Sequence, residues 1–339
     1  MSLEEKRKEI KRLTLQVIRN EKDSSSKNFK ATYEIMDTKA LFEETVLMRA
    51  SGWKITELFI PRQGVTWGGE GCESVFVVDE SIASKLEPEL IYRTIGGRDI
   101  RPRKIVWIGN HLVFPYIARQ QRWITAFRKP NLGGVDSLDF DENLDPSEKG
   151  QNIEWKLKNR TARKYIPFPK TAEYLFSSYK VLSERIFKDK PLSDYKKMWY
   201  EYIWQRDPSI TSKNKIVCPR LTRKARFAVD NYGYLPRDSV ISLLPRGRFN
   251  ELRDAISKVV RKPVSNEGAL NYTSAFLNSK VFDDLLASKR AKKRGGYPMV
   301  GEKMLGRFII PRPQPAKVRR VEKILSNRFG QKDIESFYQ

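Results

Sequence analysis

The sequence predicts an α+β fold, a mixed, largely antiparallel β domain with inserted and flanking helices. Three observations lead there. From Gly52 onward, short β-like runs alternate with turns rich in Gly, Pro and Asn. Helical periodicity interrupts those runs and flanks them at both ends. No segment repeats at a fixed period, which argues against a solenoid. Hydrophobic residues at 40% and charged ones at 31% are the balance of a folded chain, and 339 residues suffice for one large domain or two modest ones.

In chain order, Leu3, Ile10, Leu13 and Val17 share one stripe of an amphipathic helix. It docks on its own domain or serves as a contact for a partner subunit. The polar stretch Glu21–Lys30 separates it from a second helix over Ala31–Ala50, which Asp37 or Thr38 would cap and which carries Leu41, Val46 and Leu47 inward. β-like runs follow at Ile55–Ile60, Val75–Val78, Lys104–Ile108 and Leu112–Tyr116. Helical patterns return at Ile153–Lys164 and Thr171–Phe187. Strands are expected at Lys215–Cys218, Arg226–Val229 and Val240–Leu244, and helices at Phe249–Val260 and Tyr272–Ser288. A basic loop, Lys289–Tyr297, and the alternating prolines of Pro311–Pro315 precede a last amphipathic helix, Val318–Phe329. These boundaries divide the chain into a helical N-terminal extension or connector (1–50), a main domain (51–315) and a C-terminal helix (316–339).

Charge is the unusual feature. Lys and Arg number 65 against 41 acidic residues, a formal net charge of +24. Such an excess concentrates polyanions, nucleic acid first and an anionic membrane face second. No apolar stretch approaches the roughly 20 residues that cross a bilayer, and Leu112–Ala118 and Asp238–Pro245 are of strand length. Met1–Arg12 alternates Lys, Arg and Glu without an apolar core, so no secretory signal is read there and the cytoplasm is the expected compartment. Cys72 and Cys218 form no disulfide framework or zinc spacing, and the single histidine, His111, reads as a turn residue between two β runs.

Catalytic motifs are not visible. Asp145-Pro146 and Asp207-Pro208 are both followed by Ser, so neither forms the Asn/Asp-Pro-Pro-aromatic loop that grips a flipped adenine. Gly68-Gly69 and Gly133-Gly134 lack the Gly-Lys-Ser/Thr of a Walker loop. A metal-dependent nuclease stays open as an alternative, with Asp136–Glu142 as its tightest carboxylate cluster. RNA binding is another, because the charge allows it equally.

Several segments occur in an order that resembles a known family. Glu57-Leu58-Phe59-Ile60-Pro61-Arg62-Gln63-Gly64-Val65-Thr66-Trp67-Gly68 is similar to the opening of the TaqI-like C-terminal specificity domain. Val75–Val78, Leu86–Ile91, Gly97-Arg98-Asp99-Ile100 and Leu112–Tyr116 follow in order. Lys213–Arg220 resembles that family's Lys-Pro-Lys-Ile strand, with Asn214 in place of the proline. Leu277-Asn278-Ser279 resembles its Leu-Asn-Ser helix start, and Phe308–Pro311 its closing strand. The resemblance covers about 50–315. It implies target recognition on duplex DNA beside a gamma-class N6-adenine methyltransferase, often fused to an endonuclease. S-adenosylmethionine would then belong to a partner subunit or a further domain, and no cofactor to this chain. Whether the chain is a separate specificity subunit or a piece of a longer enzyme stays open.

Candidate DNA contacts follow from residue chemistry. The loop after the first run carries Arg62, Gln63, Thr66 and Trp67; glycines let backbone approach a ligand, Gln suits adenine's edge and Arg guanine's. Arg98 lies in the Gly-Arg-Asp-Ile segment, where Arg98 and Asp99 also have a bland role in organising the loop. Arg119, Gln121 and Arg122 interleave with Trp123, as phosphate contact and base stacking require. Arg220, Arg223 and Lys224 occupy a turn between strands, and Lys289, Arg290, Lys292, Lys293 and Arg294 run into Gly295-Gly296. The charge predicts a steep salt dependence. Duplex affinity should fall roughly a thousandfold or more between about 50 and about 200 mM salt if some six phosphates are neutralised. A flat titration by fluorescence anisotropy would remove the compositional case.

Overall fold

The computed structural model describes residues 52–119, 122–127, 168–280, 282–283, 286, 299–306 and 308–313. They fall into two units. One is built from 60–220 and 228–244, the other from the segments before 60, at 221–227 and beyond 244. The two divide the span 51–315 that the sequence pattern groups together, while the extension before Gly52 and the helix after 316 lie outside the described residues.

The second of these units is closed by pairing of distant segments. Strand β1 (Gly52–Lys54) runs antiparallel to β16 (Ile309–Pro311), with Trp53 opposite Ile310. Helix α6 (Phe249–Val260) follows its sequence pattern: Phe249, Leu252, Ile256 and Val260 recur at helical spacing and are buried. Helix α7 (Asn266–Leu277) is capped by Ser265, whose Oγ accepts the Gly268 N–H at 3.1 Å. Every residue from Gly268 to Leu277 is buried. Leu277-Asn278-Ser279 closes this helix. Asn278 Oδ1 accepts the Phe227 N–H (3.0 Å) and its Nδ2 donates to the Phe227 carbonyl (2.8 Å), while Ser279 Oγ accepts from Phe282 N–H (3.3 Å). Glu251 accepts from both Arg248 and the Trp53 indole, which hold its carboxyl down at about 2.

The 60–220/228–244 unit holds two four-stranded sheets. One has the order β13–β12–β15–β2, with β2 Phe59–Gln63, β12 Lys215–Pro219, β13 Ala228–Asp230 and β15 Val240–Pro245. Its β12 and β15 read as near-continuous apolar runs because they are buried along their length, and they pair antiparallel with Ile216 opposite Leu243. The other has the order β14–β4–β7–β3, with β3 Val77–Val78, β4 Ile91–Ile95, β7 His111–Val113 and β14 Leu235–Pro236. β7 pairs antiparallel with both β3 and β4, and β14 joins β4 in parallel. Short hairpins extend the unit: β5 (Ile100–Arg101) with β6 (Lys104–Ile105), β8 (Tyr116–Arg119) with β9 (Arg122–Thr125), and β10 (Ile186–Phe187) with β11 (Lys190–Pro191). The mixed α+β, mainly antiparallel architecture expected from the sequence is the one observed.

Aromatic edges fill the core. Tyr202 packs edge-on to Phe76 and Phe114, with ring centroids 4.7 and 5.1 Å apart. Its hydroxyl donates to the Val113 carbonyl (2.8 Å), and its N–H is received by the Tyr116 hydroxyl (2.6 Å). Arg185, 3% exposed, donates to four backbone carbonyls: Leu182, Trp67, Trp199 and Glu201. Burial lowers its pKa, opposed by Cys72 and the nearby tyrosines. Lys215 and Asp230 form an ion pair of 2.6 Å with both side chains fully enclosed. Asp230 also accepts the N–H groups of Tyr232, Gly233 and Tyr234, and Lys215 donates to the Ser212 and Tyr234 carbonyls.

Local interactions overrode several expected strands. Ile55–Leu58 forms one helical turn, α1, because the Glu57 carboxylate accepts the Lys54 N–H at 2.8 Å and buries Ile55 with Leu58 at i, i+3 spacing. Glu73–Phe76 likewise forms a turn, α2, before β3. His111 is a strand residue, not a turn residue. It is 8% exposed, stacks edge-on to Trp107 and lies 3.3 Å from Glu80, on the one-turn helix α3 (Glu80–Ala83). The Thr171–Phe187 pattern splits into α4 (Pro169–Ser177), α5 (Tyr179–Ser183) and β10. Cys72 and Cys218 are buried free thiols. No helix among the described residues is long and apolar enough to cross a membrane.

Two outcomes follow. Asp230→Ala strands a buried ammonium and three N–H groups, so it should cost about 3–5 kcal/mol in urea unfolding. Lys215→Met, which leaves Asp230 its backbone donors, should cost less, and the reverse order would refute this account of the pair. Glu87 caps α4 through Lys170 N, Thr171 N and Thr171 Oγ1. Burial would raise its pKa, but those bonds outweigh it and hold the carboxyl below its usual range. A folded-state pKa below the unfolded one stabilises above the unfolded value and is lost as pH falls through the folded one. Glu87→Gln should therefore lower Tm at neutral pH, with the gap to wild type closing as pH falls below the ordinary glutamate range.

Candidate nucleic-acid interface

One short loop gathers the basic side chains that the sequence scatters. Arg237-Asp238-Ser239 joins β14 to β15, and chain from three regions, at 63–65, 95–97 and Arg220, is bonded to it and its flanks. Arg237 N–H donates to the Ile95 carbonyl (3.0 Å), and Val65 N–H to the Pro236 carbonyl (2.9 Å). Gly64 N–H donates to Val240 (3.0 Å) and Arg220 N–H to Ser239 (2.7 Å). Gln63 Nε2 donates to the Asp238 carbonyl (3.0 Å), and Gly97 N–H to Ser239 Oγ (3.1 Å). A Cβ on Gly64 would lie 2.1 Å from the Arg237 carbonyl oxygen, so glycine is required there by backbone contact within the fold.

This convergence sets Arg62 and Arg220 at one loop, with Arg206 beside them and the Gly97-Arg98 turn bonded at Ser239. Arg62 and Arg98 are exposed, Arg206 and Arg220 half-buried. Arg206 Nε donates to the Gly64 carbonyl (3.1 Å) from a left-handed backbone (φ 65°). Burial first, then the Arg220 and Arg62 charges, lower its pKa, with Asp238 opposing. Asp238 is itself raised by burial against the pull of Arg220 and Arg237. Arg206 and Arg220 therefore stand against the Asp238 carboxylate, with Arg62 beside Arg206. Arg237 is not a further available cation, because it pairs with Glu73 (2.7 Å) and Asp99 (3.5 Å).

Arg206 also begins an aromatic step. Its Cζ lies 5.0 Å from the Trp204 ring centroid and Lys188 Nζ 5.1 Å from it, with Phe187 edge-on at 5.1 Å. Trp204 is 36% exposed and held by paired backbone bonds with Thr66 (2.9 and 3.0 Å). Such a cation-flanked ring suits an anionic, planar ligand.

The other expected contacts divide. Thr66 is buried at 7%, and Trp67 is half-buried with its ring against Phe76 and Tyr202. Gln63 holds the Asp238 carbonyl. Asp99 is buried and organises the Gly-Arg-Asp turn by accepting the Gly96 N–H (2.6 Å), which leaves Arg98 outward. Arg122 is exposed on β9. Arg119 closes the same hairpin opposite it in register, and Gln121 lies outside the described residues. Arg223 and Lys224 are exposed in the other unit, on a segment braced by the Asp283 carboxylate at Ala225 N–H. Lys289, Arg290, Lys292, Lys293 and Arg294 lie outside the described residues, as does Asp136–Glu142. Sequence reasoning missed Arg206, Lys188 and Trp204. The basic-aromatic spacing of Trp204-Gln205-Arg206 was their available signal. Among the described residues no group of three or more His, Cys, Asp or Glu is placed to hold a metal.

No protein-family model matches the chain, and no curated protein matches it significantly. Solved structures similar over most of it include two restriction enzymes. One is the type IIG restriction endonuclease BpuSI, at 11% identity and a TM-score of 0.41, covering 86% of this chain and 28% of that one. The other is the type IIL restriction-modification enzyme MmeI in complex with DNA, at 8% identity and a TM-score of 0.41, covering 85% of this chain and 31% of that one. The chain spans less than a third of the length of either enzyme.

Proposed function

We propose that this chain recognises duplex DNA as the specificity subunit or domain of an N6-adenine methyltransferase or restriction-modification enzyme. The observation that carries the reading is the placement of Arg62, Arg206 and Arg220 around the Arg237–Ser239 loop, beside Asp238. Like charges brought together on a rigid surface repel, and an external anion relieves that repulsion. Planar guanidinium groups match phosphate oxygens in pairs of hydrogen bonds. Phosphate contacts fix register and orientation, and base contacts then supply sequence information. The ordered resemblance over about 50–315 supports DNA methylation as the context. Methyl transfer and S-adenosylmethionine would belong to the partner.

Replacing Arg62 and Arg220 together by Gln should weaken duplex binding about tenfold or more and reduce the slope of log K against log salt by roughly 2. Fluorescence anisotropy across a salt series measures both. Selection from random duplexes should enrich one sequence; an unenriched pool would reduce the chain to a non-specific binder. Single-stranded RNA outcompeting duplex would move the assignment to RNA, and plasmid cleavage by the purified chain with Mg²⁺ would move it to a nuclease.

A further inference from the structure

The β5–β6 hairpin carries a charge pattern that its own fold does not explain. Ile100 lies opposite Ile105, and Arg101 opposite Lys104. Alternation along the strands sends the first pair inward. Ile100 is fully buried with Ile95, Val217, Ala228, Tyr234 and Val240, and Ile105 packs against the same cluster. The second pair is therefore displayed outward, and both Arg101 and Lys104 are exposed. Like charges directly opposite on paired strands destabilise them.

No carboxylate within the hairpin compensates. The acidic residue at its base, Asp99, is 5% exposed and engaged by the Gly96 N–H and by Arg237. That turn is anchored from both sides. Gly97 N–H is held by Ser239 Oγ, and Gly96 N–H by the Asp99 carboxylate. Arg98, at the centre of the turn, stays outward. Three exposed cations thus stand on an anchored support, so little ordering cost opposes the binding of an anion.

We infer that Arg98, Arg101 and Lys104 form a second site for the phosphate backbone of duplex DNA, apart from the arginines around Asp238. This rests on the DNA-recognition reading above. Phosphate is favoured over base edges on two grounds. A ladder of two residue pairs extends only about 7 Å at the rise of a strand, less than the roughly 8.5 Å depth of the major groove. The ammonium of Lys104 is a point charge suited to phosphate and poor at bidentate base reading.

The test compares the full chain with Arg101→Gln/Lys104→Gln, the same change plus Arg98→Gln, and a charge-preserving Arg101→Lys/Lys104→Arg exchange. On duplexes of several sequences, the double variant should bind several-fold more weakly at low salt, with the salt slope reduced by about 2, and the triple variant by about 3. The loss should be the same for every sequence, and the exchange should restore the slope. Thermal unfolding should show an unchanged or higher Tm for the double variant, since an opposed like-charge pair is removed. An unchanged slope in the double variant, while Arg62→Gln/Arg220→Gln still weakens binding, would overturn this inference alone. Loss confined to one duplex sequence would overturn it in favour of base reading. Failure of the wild-type chain to bind duplex would overturn both readings.

Discussion

The constraint on which this surface depends is the saturation of the Arg237-Asp238-Ser239 loop. Its flanking and internal backbone groups are bonded to Ile95, Gly64, Val65, Gln63 and Arg220, and its serine hydroxyl to Gly97. A loop without such partners would be mobile and its arginines with it. Here each contributing segment is fixed by main-chain bonds, so the exposed guanidinium groups differ in position only by their own side-chain rotamers. Gly64 follows from the same constraint, since a β-carbon there would strike the Arg237 and Pro236 carbonyls.

A chain of net charge +24 needs its cations sorted before charge is read as function. Arg185, Lys215 and Arg237 belong to the fold. The first donates to four carbonyls, the second is sealed against Asp230, and the third is paired with Glu73 and Asp99. Each would leave an unpaired buried group if its partners were removed, and that cost fixes the partners in place. Arg62, Arg98, Arg101 and Lys104 are exposed, and Arg101 faces Lys104 across its hairpin. Burial and partners separate the two classes, and composition cannot.

Much of the fold was legible where periodicity was strong. The pattern over Phe249–Val260 coincides with α6, and the apolar runs at Lys215–Cys218 and Val240–Leu244 with β12 and β15. Short apolar runs were not legible, because Ile55–Leu58 and Glu73–Phe76 satisfy a helical turn as well as a strand and local bonds decide. The site was partly legible. Arg62, Arg98 and Arg220 were identifiable as basic residues beside turns, but their convergence depends on β14 meeting β4 in parallel, a long-range pairing without a local signal. The loop around Thr66 and Trp67 was not legible, because a glycine-bearing polar loop looks the same whether its glycines admit a ligand or a neighbouring strand, as Gly64 does.

Natural sequences are locally consistent with their folds, and departures from consistency concentrate where function imposes them. Two such departures lie on the arginine surface. Arg101 faces Lys104 across a ladder, and Arg62, Arg206 and Arg220 gather beside one half-buried carboxylate. Both cost stability in the isolated chain. Both costs are relieved by the same agent, a dense row of negative charge lying along the surface. Duplex DNA presents one charge per roughly 1.7 Å of axis, so a single ligand would offset both at once. An arrangement selected for stability alone would have placed carboxylates at these positions, as it did beside Lys215 and Arg237.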